Sequence, residues 1–328
     1  MADRIRTGIV GYGNLGRGAE LALGLCEDME LCGIFTRRDP AALRPAHAGT
    51  AVHPLAALAD FEDSIDVLIL CGGSRDDLPQ QGPELAARFN TVDSFDTHAR
   101  VPEYFDTMDA AARDSGKAAV ISIGWDPGLF SLNRMLGEAI LPEGETYSFW
   151  GKGLSQGHSD AVRRVEGVRA GVQYTLPSEQ AMARVRAGDR PALATRDKHK
   201  RECYVVLEEG ADAQAVEHAI VNMPHYFVDY DTTVHFVSEQ ELAANHAAMP
   251  HGGFVIHGGN TASGTDQTME FALKLGSNPE FTASVLVAYA RAACKLNRQG
   301  RSGAFTILGV PPGLLSPKSA AQLRGELI

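Results

Sequence analysis

Ile5-Arg6-Thr7-Gly8-Ile9-Val10-Gly11-Tyr12-Gly13-Asn14-Leu15-Gly16 decides the fold. The residues up to Val10 predict a short buried strand, the glycines after it a tight turn, and the run to about Cys26 a helix. Each glycine has its own physical reason in a dinucleotide site. Gly11 lets the chain turn sharply, Gly13 lets backbone N–H groups approach a pyrophosphate, and Gly16 lets helix and strand pack closely. The helix N-terminus, with its dipole and unpaired N–H groups, then faces the anion. The motif alone is weak evidence, but a second strand predicted over 29–35 arrives where a βαβ unit needs it.

The turn after that second strand reads Thr36-Arg37-Arg38, with Asp39 only after both arginines. A site for NAD usually carries an acid here, which accepts a hydrogen bond from the ribose 2′-hydroxyl. An acid would repel a 2′-phosphate, whereas two guanidiniums and a hydroxyl would bind it. The expected cofactor is therefore NADP(H). The rival reading, a solvated basic turn, loses ground because the fingerprint lies directly upstream.

A chain of 328 residues is comfortable for two domains. Hydrophobic residues at 44% and charged residues at 22% give an ordinary globular composition with a sizeable core. No apolar run approaches membrane-spanning length, and Met1-Ala2-Asp3-Arg4 leads into a strand, not a secretory apolar segment, so a cytoplasmic location is expected. A net charge of -11 argues against nucleic acid as a partner, because phosphate backbones need a basic face. The five cysteines form no C-x-x-C pair and read as buried thiols in a reducing compartment.

Further strands are expected near 51–52 and over 67–71, 91–95 and 118–123, with helices over 78–89 and 102–115. That alternation predicts an α/β domain with a doubly wound parallel (Rossmann) sheet and helices on both faces. The rhythm breaks at Gly124. After a helix over 129–140, strands over 146–150, 171–175, 202–208 and 232–237, with helices over 178–188 and 211–223, predict a mixed α+β domain. A helix over 279–297 and a last strand over 304–308 are expected to return to the nucleotide domain. The boundaries expected are 1–125 plus about 279–328 for dinucleotide binding, and 126–278 for substrate binding and dimerisation.

Gly153-Leu154-Ser155-Gln156-Gly157 matches G-x-S-x-G, and His158 and Asp160 follow, as if in a serine hydrolase. That elbow needs a strained strand-to-helix turn, with triad partners drawn from elsewhere in the chain. Residues 158–164 read instead as a polar loop in which His158 and Asp160 need not face Ser155. A hydrolase would also leave the nucleotide fingerprint unexplained.

Asp96 and Asp126 stand just past two predicted parallel strands, at the edge where bound cofactor meets substrate. Two carboxylates there suit a substrate ammonium, or one accepts its proton as hydride leaves the carbon. Capping of the next turn is the rival reading, above all for Asp126 before Pro127. Arg201, Thr175 and His251 come from separate places and singly read as structural. With an amphoteric substrate they make sense together, Arg201 gripping a carboxylate while Thr175 and His251 add donors. Trp150 reads as core or as a pocket wall. His246, His251 and His257 are too irregular for a helix-borne zinc site, and no metal is expected.

The chain resembles the meso-diaminopimelate D-dehydrogenase family over nearly its whole length. The resemblance rests on Val10-Gly11-Tyr12-Gly13-Asn14-Leu15-Gly16-Arg17, Gly33-Ile34-Phe35-Thr36-Arg37-Arg38, Gly124-Trp125-Asp126-Pro127-Gly128, Phe149-Trp150-Gly151, Gly153-Leu154-Ser155-Gln156-Gly157-His158-Ser159-Asp160-Ala161, Val172-Gln173-Tyr174-Thr175-Leu176-Pro177-Ser178-Glu179, His199-Lys200-Arg201, Met249-Pro250-His251-Gly252-Gly253 and Asn278-Pro279-Glu280-Phe281-Thr282-Ala283-Ser284. The 154–161 and 173–179 blocks are far more specific than a dinucleotide motif, and they retire the hydrolase reading.

The resemblance implies a bacterial, NADP-dependent homodimer. It would reversibly deaminate the D-centre of meso-2,6-diaminopimelate to L-2-amino-6-oxopimelate and ammonia, at the junction of lysine and peptidoglycan synthesis. It further implies cofactor contacts at Tyr12, Gly13, Asn14 and Leu15, between the motif glycines Gly11 and Gly16, at Thr36, Arg37 and Arg38, at Ser74, Arg75, Asp76 and Asp77, and at Ser122, Ile123, Gly124, Trp125 and Asp126. Substrate contacts would be Asp96, Asp126, Trp150, Gln156, Thr175, Arg201, His251 and Asn278, with Asp96 and Asp126 at the reacting head and the general base left open. Two stretches depart from the family pattern. Arg75-Asp76-Asp77 is more charged, and 258–265 differs in detail. Rival readings are a dihydrodipicolinate reductase, a sugar dehydrogenase or a non-catalytic NADPH sensor. The first normally shows a His-His pair followed by lysine and the second a Glu-Lys-Pro stretch, and neither stretch occurs here.

Overall fold

The apolar run after Arg4 forms β1 (Ile5–Val10), in which every residue but Arg6 is buried. The computed structural model describes residues 4–262 and 264–328; Met1, Ala2, Asp3 and Ser263 lie outside the described residues. After β1 come α1 (Asn14–Leu23), β2 (Met29–Thr36), β3 (Val52–Pro54), β4 (Val67–Leu70), α2 (Leu78–Ala86), β5 (Asn90–Asp93), α3 (Val101–Asp114), β6 (Ala118–Val120) and α4 (Leu129–Ile140). The chain continues through β7 (Glu145–Trp150), β8 (Gly153–Leu154), α5 (Gln156–Arg163), β9 (Val168–Pro177), α6 (Glu179–Arg186), α7 (Thr195–Lys198), β10 (His199–Leu207), α8 (Ala213–Val221), β11 (Asp231–Phe236), α9 (Glu239–Asn245), β12 (His251–Ala262) and β13 (Thr265–Leu275). It ends with α10 (Asn278–Arg298), β14 (Gly303–Phe305) and α11 (Ala320–Leu327). Two compact units result, Met1–Leu132 with Pro279–Ile328 and Asn133–Asn278, so the division falls inside α4.

The first unit holds a seven-stranded sheet in the order β14-β6-β5-β4-β1-β2-β3, parallel at every pairing. Strand order reverses between β1 and β4, and in open α/β sheets the crevice beyond such a switch point takes the ligand. Alternate side chains feed two cores. Ile9, Val67 and Ile69 pack with Leu286, Tyr289 and Ala290 of α10, while Val10, Leu68 and Leu70 pack with Phe89, Phe95 and Met108. The returning tail is tied in twice. Phe305 of β14 pairs with Val120, and the buried Arg291 guanidinium donates to both Asp28 oxygens at 2.5 and 2.8 Å.

At the end of β5 a fully buried carboxylate joins two strand ends. Asp93 Oδ1 accepts the N–H of Phe95 at 2.9 Å and of Ser122 at 3.1 Å, and Oδ2 accepts the Tyr104 hydroxyl at 2.8 Å. Ser122 has a left-handed backbone, φ +56°, so β6 stops at Val120 and not at 123 as its apolar run suggests.

The second unit contains a four-stranded sheet, β11-β10-β9-β8, and a three-stranded one, β13-β12-β7. Three features correct the sequence reading. Residues 158–164 are not a loop, because Ser155 caps the helix α5 by accepting the His158 N–H. Strands β9 and β10 are longer than expected, and their register sets Thr175 opposite Arg201. The hairpin β12–β13 has no continuous apolar run to announce it, because β12 carries glycines that close packing demands. A Cβ at Gly252 would fall 2.1 Å from the Leu273 carbonyl oxygen, and one at Gly253 would fall 2.2 Å from that of Phe149. No helix among the described residues is long and apolar enough to cross a membrane.

Burial pushes the Asp93 carboxyl up to about 6. A raised folded value means that the fold favours the protonated form. That contribution is present below the ordinary carboxyl value near 4 and is lost as pH rises through about 6. A shift of that size corresponds to about 3 kcal/mol. Asp93→Asn has no such titration. Its unfolding free energy relative to the parent, from denaturant melts, should therefore rise by about 2 to 2.5 kcal/mol between pH 4 and pH 7; a difference that stays flat with pH would contradict this.

Candidate functional site

In the first unit the glycine turn has the geometry that a dinucleotide requires. Gly11 adopts φ +87°, a Cβ at Gly16 would fall 2.3 Å from the Gly11 carbonyl oxygen, and one at Gly13 would meet nothing within 4 Å. The turn is therefore tight, α1 lies against it, and the approach at Gly13 stays open. A cavity of about 250 Å³ runs along it, with Thr36, Arg37 and Arg38 on one side and Asp77 and Gln81 on the other. The Arg38 guanidinium donates to the Tyr12 carbonyl, and the Arg38 N–H donates to Thr36 Oγ1 at 3.1 Å. This set fits a pyrophosphate at the helix N-terminus and a 2′-phosphate at the guanidiniums.

The loop is anchored by a residue that sequence reasoning missed. Glu20 of α1 is 1% exposed and accepts from the Tyr12 hydroxyl, from Thr50 Oγ1 at 2.7 Å, and from the N–H groups of Ala46 and His47 at 2.8 and 3.0 Å. Burial alone would raise its pKa, but those four donors outweigh it and hold the carboxyl below its ordinary range. Burial also lifts the Tyr12 hydroxyl to about 12, so it stays a neutral donor.

The carboxyl ends of β4, β5 and β6 carry the remaining residues expected in this unit. Asp96 is exposed, and its N–H donates to Ser74 Oγ at 3.0 Å. It caps no helix, because α3 begins at Val101 behind Arg100. Asp126 is half-buried and joins Pro127 through a cis peptide bond. Ile123 and Trp125 are core side chains, Trp125 packing edge-on against Phe130 at 5.2 Å. Arg75 and Asp76 are exposed and lie 3.7 Å apart. Leu15 packs against the core, and Asn14 opens α1. Asp93, whose backbone and side chain both bond the Ser122 loop, was invisible in the sequence because it reads as the end of a strand.

In the second unit Arg201 is only 6% exposed. Its guanidinium donates to Thr175 Oγ1 and lies 3.9 Å from the Tyr230 ring centroid, while its Nε is buried with no hydrogen-bond partner among the described residues. Among those residues no carboxylate pairs with it. Burial lowers its pKa, offset in part by Tyr230. Three histidines around it are held neutral. Burial, helped by the Arg201 charge, pulls His158 down to about 4 and His199 to about 3, and it lowers His251. His199 accepts the Trp150 N–H at 2.8 Å and stacks on the Trp150 ring at 4.9 Å. His251 packs so closely that a Cβ at Gly153 would come within 2.4 Å of its ring. The segment just before His251 gathers two more expected residues: Gln156 Nε2 lies 3.1 Å from Met249 Sδ, and the Asn278 N–H donates to the Met249 carbonyl at 2.9 Å.

His158 does face Ser155, with Nδ1 2.8 Å from Oγ, contrary to the loop reading. No triad follows, because Asp160 pairs with Arg163 and Ser155 has an ordinary extended backbone. Among the described residues no cluster of His, Cys, Asp or Glu could hold a metal, and all five cysteines are free.

Residues 124–277 match the family model described as the diaminopimelic acid dehydrogenase C-terminal domain. The meso-diaminopimelate D-dehydrogenase of Lysinibacillus sphaericus is 63% identical over 324 residues, 99% of each chain. A solved structure of a sixfold-substituted meso-diaminopimelate dehydrogenase from Clostridium tetani with DAP matches with a TM-score of 0.94 at 53% identity, covering 99% of this chain and 100% of that one. An engineered D-amino acid dehydrogenase bound to NADP+ matches with a TM-score of 0.86 at 44% identity, again over 99% and 100%. With these sequence blocks, this sheet order and relatives this similar over their full lengths, the chain belongs to the meso-diaminopimelate D-dehydrogenase family.

Proposed function

We propose that this chain catalyses the reversible, NADP-dependent oxidative deamination of the D-centre of meso-2,6-diaminopimelate to L-2-amino-6-oxopimelate and ammonia. The observation that carries the reading is Arg201, a buried guanidinium with no carboxylate partner among the described residues. Leaving a charge so placed is costly unless a ligand completes it, and a substrate carboxylate is the matching group. The C. tetani chain that holds DAP is substituted at a Gln, a Thr, an Arg, a Pro, a His and an Asn. The same residue types stand at the same spacing here, at Gln156, Thr175, Arg201, Pro250, His251 and Asn278.

Diaminopimelate carries an amino-acid head at each end, so one head must serve as a handle while the other reacts. Arg201, Thr175 and His251 fix the distal L-head through its carboxylate, with Trp150, Gln156 and Asn278 completing the contacts. Neutral histidines suit that role, because they supply hydrogen bonds without adding to the Arg201 charge. Asp96 and Asp126 hold the reacting D-head by its ammonium, and one of them takes the proton. Thr36, Arg37 and Arg38 grip the 2′-phosphate, and residues 11–16 take the pyrophosphate. NADP+ bound there supplies the hydride acceptor, and the imine left on the substrate is hydrolysed by water to the 6-oxo product and ammonia. The protein contributes orientation, with the first unit as the nucleotide domain and the second as the substrate and dimerisation domain. A homodimer, as the family resemblance implies, in the cytoplasm, as the charged start of the chain suggests, completes the proposal.

NADPH formation with meso-, LL- and DD-diaminopimelate, alongside D-alanine and D-lysine, tests it. The meso isomer should be turned over fastest and the LL isomer not at all; a protein that binds NADP+ yet oxidises no amine would be a sensor, not this enzyme. Arg201→Met should weaken diaminopimelate by about 1.5 to 3 kcal/mol, roughly 10- to 150-fold in KM. Because the buried charge goes with it, melting should shift little or upward. Unchanged KM for that variant would refute the handle role.

A further inference from the structure

The acid that is missing from the turn after β2 is supplied from forty residues away. Asp77, in the loop beyond β4, sets its Oδ1 2.5 Å from the Arg37 guanidinium, while Oδ2 accepts the Gly73 N–H at 2.9 Å. Asp77 stands at the N-cap position of α2, yet its side chain makes no capping hydrogen bond to that helix. The carboxylate turns back over its own loop instead, and the loop is shaped for it. A Cβ at Gly72 would fall 2.8 Å from Asp77 Cβ, so any larger residue there would push the side chain away. Asp77 also lines the cavity that Thr36, Arg37 and Arg38 line. At neutral pH those two arginines and the one acid leave a formal charge of +1 facing the cavity, not the +2 that the turn alone would present. An ionised carboxylate beside a ribose 2′ position acts in opposite senses on the two cofactors. It accepts a hydrogen bond from a 2′-hydroxyl and repels a 2′-phosphate.

We propose that Asp77 sets how sharply this chain discriminates NADP(H) from NAD(H), competing with a 2′-phosphate for Arg37 and accepting the 2′-hydroxyl when the phosphate is absent. The proposal rests on the NADP reading above and adds a counterweight to it. Such a counterweight keeps NADP(H) from binding as tightly as two free arginines would hold it, and it leaves NAD(H) a usable ligand.

Asp77→Asn keeps the side-chain shape, the acceptor for Gly73 and a residue favoured at that position of a helix, while removing the charge. Dissociation constants are measured by calorimetry for NADP+ and NAD+ without substrate, and for adenosine 2′,5′-bisphosphate and AMP as the minimal pair. The variant should bind NADP+ and the bisphosphate at least about fivefold more tightly, with NAD+ and AMP unchanged or weaker, so that selectivity moves at least about fivefold toward the phosphorylated ligand. The gain should shrink in high salt. Selectivity within twofold of the parent, or a move toward NAD+, would overturn the proposal, the latter showing that Asp77 holds Arg37 in place for the phosphate. The double variant Arg37→Ala/Arg38→Ala separates the two layers. If the parent binds NADP+ no better than NAD+ and the double variant leaves the ratio unchanged, the NADP reading itself fails and the counterweight with it. If the double variant abolishes a parental preference that Asp77→Asn leaves alone, only the counterweight fails.

Discussion

The constraint on which the nucleotide-binding unit depends is the absence of a side chain at position 16. Helix α1 crosses the end of β1 so closely that a single Cβ would sit 2.3 Å from the Gly11 carbonyl oxygen. That approach aims the start of the helix at the crevice beside β1, where strand order reverses and a parallel sheet leaves an opening. Glu20, one helical turn further on, then fastens the turn from behind through Tyr12, the Ala46 and His47 N–H groups and the Thr50 hydroxyl. The fastening is an ionised group almost without water, and it persists because four donors surround it. Fold stability and the shape of the glycine turn thus depend on the same atoms.

The second unit uses the opposite arrangement. There the buried charge is left short of partners. Arg201 has a hydroxyl beside it and an aromatic face over it, and the histidines nearby are kept neutral by the same burial. A satisfied guanidinium would add to stability and bind nothing, whereas an unsatisfied one costs stability and recognises a carboxylate. Glu20 is thus a buried charge fully met within the fold, whereas Arg201 keeps a buried donor unmet among the described residues.

Much of this was legible in the chain. The strand, turn and helix over 5–23 follow from apolar periodicity and glycine placement, and the turn at 36–38 does line the cavity along the glycines. What escaped was whatever depends on register or on contacts distant in sequence. Thr175 and Arg201 face each other because β9 and β10 pair in one register out of several the sequence allows. Asp77 meets Arg37 only after the sheet has formed, and Asp93 looks like any strand end until Ser122 turns back to it. The glycines of β12 hide a long strand, because close backbone packing removes the side chains by which a strand is read. Residues 158–164 read as a polar loop because the cap that starts α5, the Ser155 hydroxyl, lies upstream of them inside a motif with a different meaning.

The most direct measurement follows the hydrogen on each stereocentre. With meso-diaminopimelate deuterated at the D-centre α-carbon, the label should appear in the reduced nicotinamide, while a label at the L-centre should stay in the amino-oxo product. Label released to solvent from the D-centre, or transferred from the L-centre, would contradict hydride removal at the D-head with the L-head held by Arg201.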